Sequence, residues 1–120
     1  MSCLFNSLQY FIPDESSFTI RQKMCDYLQN NGKIIDGLDT AYILQLDNPS
    51  GKYVEHMRNP STWGGAIEIQ VACILWNLRI IVKNYRTSER SNIEFVPFSN
   101  QYEKTIELEW TGGHYEPVRV

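Results

Sequence analysis

The chain has no basic run: its 11 Lys and Arg are scattered among 14 Asp and Glu, for a formal net charge of −3. Nucleic acid is held chiefly by clustered cations on phosphates, so no nucleic-acid partner is expected. Long apolar stretches are absent too. The most apolar run, Ile67 to Val82, is interrupted by Glu68, Gln70, Asn77 and Arg79. It falls short of the roughly 18 consecutive apolar residues of a membrane-crossing helix, and no membrane partner is expected. Met1 to Tyr10 is uncharged and broken by Asn6, Ser7 and Gln9, unlike a secretory signal. Cysteine is scarce. Cys3, Cys25 and Cys73 are odd in number and widely spaced, which suits neither a disulfide scaffold nor a zinc site with C-x-x-C ligands. Free thiols in the reducing cytoplasm are expected, with no metal and no cofactor.

What is present suffices for one folded unit. Of 120 residues, 42% are hydrophobic and 12% aromatic, enough for a core, and 21% charged is too few for a disordered tail. No repeat, low-complexity tract or linker divides the chain, so residues 1–120 are expected to form a single domain, acting as a monomer.

Helical spacing dominates the first two thirds. Leu4, Phe5, Leu8, Phe11 and Ile12 predict a short helix over Cys3 to Ile12, stopped by Pro13. Thr19 and Gln22 stand at capping-box spacing after Ser16, and Ile20, Met24 and Leu28 line a second helix ended by Asn30, Asn31 and Gly32. Leu38, Tyr42, Ile43 and Leu46 suggest a third, and Tyr53, Val54 and Met57 one more turn. Arg58 to Gly65 reads as a loop containing Trp63. Ile67, Val71, Ile74, Leu75 and Leu78 predict a buried helix before a core strand at Ile80, Ile81 and Val82. Further strands are expected near Ile93 to Val96, through Ile106, Leu108 and Trp110, and from Tyr115 to Val118. The fold class is therefore α/β, with N-terminal helices packed on a small, mostly antiparallel sheet formed by the C-terminal half.

Chemistry concentrates at the two ends. A thiol at a helix N-terminus is stabilised as thiolate by unpaired backbone N–H groups and the helix dipole, and Cys3 is placed there. Equally, Cys3 is readable as a small hydrophobe near the chain start. Of the two histidines, His56 sits in a helical turn and reads as structural. His114 follows Gly112 and Gly113 and opens a strand, the better position for a general base. Glu116, two residues on, shares the strand face of His114 and is placed to fix its tautomer. Without the thiol, that pair would read as a solvated edge.

Cysteine early, histidine late and a carboxylate beside it is the order of papain-like thiol proteases. Three segments sharpen it: Cys3-Leu4-Phe5-Asn6-Ser7-Leu8, Trp63-Gly64-Gly65-Ala66-Ile67-Glu68-Ile69 and Gly113-His114-Tyr115-Glu116-Pro117-Val118. Together they resemble the ovarian tumour (OTU) domain family of deubiquitinating cysteine proteases. The likeness extends to Ile20-Arg21 and Leu28, and to Tyr53 and Met57 ahead of Trp63. It implies a papain-like fold and cleavage of isopeptide bonds after the Gly-Gly end of ubiquitin or a ubiquitin-like modifier. Cys3 would be nucleophile, His114 base and later acid, and Glu116 the orienting residue. Backbone N–H groups of Ser2 and Cys3 would form the oxyanion hole. Trp63 and Tyr115 are candidate walls of a narrow cleft for a glycine tail, although Trp63 also reads as a core plug beneath its loop.

Family members usually carry an Asp-Gly pair just before the residue preceding the nucleophile, where here only Met1 and Ser2 stand ahead of Cys3. The third residue is more often Asp or Asn, one methylene shorter than Glu116. These departures hold open two alternatives to an active enzyme, a catalytically silent ubiquitin-binding module and a fragment of a longer one.

Overall fold

The computed structural model describes residues 3–85 and 91–119. Helix α1 (Cys3–Phe11) buries Leu4, Phe5 and Leu8, and Pro13, which lacks an N–H, lies just beyond its end. Each such side chain taken fully out of water contributes about 1.5–3 kcal/mol. Helix α2 (Ser17–Gln29) starts one turn earlier than the Thr19–Gln22 spacing predicts, because Ser16 is the cap, its hydroxyl accepting the Thr19 N–H at 3.0 Å. Gln22 instead donates to the Arg58 carbonyl at 3.1 Å. Asn31, at φ 57°, ends α2 in the left-handed region.

Helix α3 (Thr40–Asp47) forms where expected but is turned the other way. Its inward residues are Thr40 and Leu44, while Leu38, Tyr42 and Leu46 are exposed. Polar contacts set that rotation. Thr40 donates its hydroxyl to the Gly32 carbonyl at 2.6 Å, and the Asn31 side chain bonds both the Ala41 N–H and Asp39. Helix α4 (Tyr53–Met57) buries its two end residues.

In α5 (Ala66–Trp76) the deepest residues are Glu68, Ile69, Val71, Ala72 and Cys73, with Ile67, Ile74 and Leu75 only half-buried. A helix this apolar, packed against both α2 and the sheet, has no single face for spacing to reveal. Asn77, at φ 54°, stops it, so Leu78 opens a strand instead of closing the helix.

Four strands follow: β1 (Leu78–Asn84), β2 (Ser91–Phe95), β3 (Lys104–Trp110) and β4 (Tyr115–Pro117), in the order β2-β1-β3-β4. The outer pairings are antiparallel, but the central one, β1 with β3, is parallel, so the sheet is mixed. Leu78, Ile80 and Val82 of β1 lie level with the β3 face that buries Ile106 and Leu108, giving the helices one apolar floor. Helix α1 packs on the edge strand β4, which brings the first residue of the first helix beside the last strand.

Candidate active site

Cys3 is the first residue of α1, partly exposed, with its carbonyl held by the Ser7 hydroxyl at 2.7 Å. Ser2 lies outside the described residues. Across from Cys3, Gly112 at φ 103° turns the chain and the Thr111 N–H donates to the His114 carbonyl at 3.1 Å. Only a residue without Cβ takes that φ readily, which is how Gly112 sets His114 at the mouth of β4. His114 Nε2 stands 3.2 Å from Glu116 Oε1, the alternation of β4 putting both on one face. Both side chains remain just over half exposed, at 55% and 57%.

These residues share one cleft. A cavity of about 720 Å³ between α1 and β4 is lined by Cys3, Trp63, His114, Tyr115 and Glu116, with Asn6, Tyr10 and Arg119 further along. The second histidine is elsewhere, on α4, its Nδ1 3.4 Å from Asn48 Nδ2. Burial pushes the Tyr115 phenol above its ordinary value, and a negative Cys3 pushes it the same way. The phenol is thus within electrostatic reach of the thiol. Trp63 is no core plug: it is 54% exposed and overhangs the turn before His114, its ring 3.9 Å from where a Gly113 Cβ would stand.

A buried polar pair fixes the Trp63 loop from below. Glu68, 1% exposed, accepts the Gly65 N–H on Oε1 at 2.7 Å and the Tyr53 hydroxyl on Oε2 at 2.5 Å. Burial raises the Glu68 carboxyl above the usual carboxylate range. Burial and then the Glu68 charge raise the Tyr53 phenol. Arg21, also 1% exposed, lies 4.1 Å over the Phe5 ring and donates to the Met57 carbonyl at 2.8 Å and the Pro60 carbonyl at 3.3 Å. Burial lowers its guanidinium, opposed by Cys25 and Glu68. Sequence reasoning assigned neither residue a role. The Glu68 return bond to Gly65, half of a capping box, was signalled by its three-residue spacing; Arg21 carried no such sign.

A thiol at a helix N-terminus sharing a cleft with a His–carboxylate pair, on helices backed by a mixed sheet, defines a papain-like cysteine protease fold. The chain belongs to the OTU-like cysteine protease family, whose profile matches residues 2–115. It is 23% identical to the Ovarian tumor domain-containing deubiquitinating enzyme 2 of Arabidopsis thaliana over 121 residues, covering 99% of this chain and 54% of that protein. The chain therefore spans about half the length of the curated relative it matches.

Among solved structures, an OTU domain in complex with ubiquitin superimposes with TM-score 0.76 at 23% identity, over 97% of this chain and 62% of that one. The viral OTU domain protease of Dera Ghazi Khan virus gives 0.73 at 21% identity, over 97% and 72%. An OTU deubiquitinase of Wolbachia pipientis wMel gives 0.72 at 16%, over 97% and 80%. At these identities the likeness is one of fold.

Proposed function

We propose that this chain hydrolyses the peptide or isopeptide bond after the C-terminal glycine of ubiquitin or a ubiquitin-like modifier, through a Cys3 thioester. The observation that carries the reading is the placement of Cys3 and the His114–Glu116 pair in one cleft. With Nε2 turned to Glu116, His114 has Nδ1 for the thiol. Cys3 sulfur attacks the glycine carbonyl, and His114 delivers the thiol proton to the departing lysine amine. His114 then takes a proton from the water that releases the acyl group. The helix end supports the thiolate, and the N–H groups of Cys3 and Ser2 serve the oxyanion, at about 3–4 kcal/mol per well-aimed donor. Trp63 and Tyr115 line the cleft and serve in this reading as the walls for a glycine tail.

Residues 1–120 act as one domain and as a monomer in this reading. Its three free thiols favour a reducing compartment, the cytoplasm. No helix among the described residues is long and apolar enough to cross a membrane.

The test is reaction of the purified chain with ubiquitin bearing a C-terminal thiol-reactive group, read by intact mass. A single adduct that disappears in Cys3→Ala and falls sharply in His114→Ala is expected. No adduct, with ubiquitin still bound, would make the fold a ubiquitin-binding module instead.

A further inference from the structure

We infer that the far end of this cleft, where Arg119 lies over the Tyr10 ring, selects an acidic side chain on the segment carrying the cleaved lysine. This rests on the Cys3–His114 reading above. The groove follows α1 through Cys3, Asn6 and Tyr10, spaced at three and four residues, and its other wall is His114, Glu116 and Arg119. An acid must stand within hydrogen-bond reach of the atom it protonates, so the leaving amine and its chain lie against the His114 wall. Arg119 is on that wall. The step from His114 to Arg119 spans at most about 18 Å, which a lysine side chain and two or three extended residues cover.

At this end the two carboxylates, Glu116 and Glu107, each have a partner of their own. Glu116 is engaged by His114, whereas Arg119 makes no ion pair among the described residues and rests with its guanidinium carbon 5.6 Å from the Tyr10 centroid. Tyr10 is itself steadied edge-on against Phe11 at 4.9 Å. An adjoining cavity of about 510 Å³ shares Tyr10 and Arg119 and adds Lys104, 5.8 Å over the Phe11 ring. The carboxylate lining it, Glu107, is paired with Lys83 at 3.4 Å. On a chain of net charge −3, the groove thus ends in cations seated on aromatic faces, a fit for carboxylates.

The experiment uses Cys3→Ala protein and two fluorescent peptides, each with a lysine bearing Gly-Gly on its side-chain nitrogen. Either Glu or Lys occupies the second and third positions on both sides of that lysine. The Glu-flanked peptide should bind about threefold to tenfold more tightly, the scale of an exposed ion pair formed or opposed. Arg119→Glu should reverse the order, while Lys52→Glu, an equal charge change at an exposed residue that lines neither of these two cavities, should keep it. Equal affinity for both peptides, saturable binding of neither, or an equal response to the Lys52 change would overturn the inference. The ubiquitin adduct at Cys3 is read separately, so an adduct without flank discrimination condemns this inference alone. Discrimination without an adduct condemns the catalytic reading alone.

Discussion

Gly64 lies so close to Leu4 that a Cβ there would stand 2.7 Å from Leu4 Cδ2 and 3.0 Å from the Phe5 ring. The helix that carries Cys3 and the loop that carries Trp63 are therefore in contact with no room for a methyl group. Gly64→Ala should destabilise the fold by about 1–3 kcal/mol, as overpacking does, and shift Trp63 from the turn before His114. Urea unfolding gives the first effect and Trp fluorescence the second.

Tyr53→Phe removes the donor to the buried Glu68 Oε2 and leaves that oxygen unpaired. A loss of about 1–3 kcal/mol is expected. Glu68→Gln keeps an acceptor for the Gly65 N–H and should be milder than Glu68→Ala. Thermal unfolding of the three variants sets the order.

Cys3 should react with a soluble thiol electrophile far faster than Cys25 or Cys73 in the folded protein. Both of the latter are fully buried, with thiols pushed up to about 11 and about 12 by burial. Peptide mass mapping over a time course reads the three rates, and urea should equalise them.

His114→Ala should lower kcat/KM on a ubiquitin substrate by about 10²–10⁴-fold, the usual worth of a positioned base. Glu116→Ala should fall much less, since it orients the imidazole from 3.2 Å and takes no proton. Single-turnover rates of the two variants make the comparison.

The same buried thiols make the fold sensitive to alkali. Native Cys25 and Cys73 hold their protons up to about 11 and about 12, whereas in the unfolded chain they ionise near 9.0. Their contribution is complete below about pH 9 and is lost as pH rises through the native values, at about 1.4 kcal/mol per pH unit for each thiol. Urea midpoints from pH 8 to 11 should decline, and less steeply in a Cys25→Ala, Cys73→Ala double variant.

Local rules carried the first half of the fold and faltered where tertiary contacts decide. The spacing of Leu4, Phe5 and Leu8 located α1, and the period-two pattern of Ile106 and Leu108 located β3. Polar anchors at Asn31 and Thr40 turned α3 so that Leu44, not Tyr42 or Leu46, points inward, and no apolar count records such anchors. The parallel register of β1 with β3 was equally hidden, because strand alternation is the same in either direction. At the site, residue type and motif marked Cys3, His114, Glu116, Trp63 and Tyr115, which the fold gathers around one cleft. Glu68 and Arg21 escaped because a charged residue is ordinarily solvated, and only the packed interior reveals their partners.

The cleft joins residues far apart in the sequence, and its order of appearance during synthesis follows. Cys3 leaves a ribosome ahead of His114 and Glu116, which follow 111 and 113 positions later. Edge strand β4 pairs with β3, which itself lies alongside β1. A nascent chain therefore displays the thiol without the imidazole beside it while the intervening residues are made. The pair comes into being only when the sheet closes, so in the proposed mechanism completion of the fold acts as the safety catch on the nucleophile.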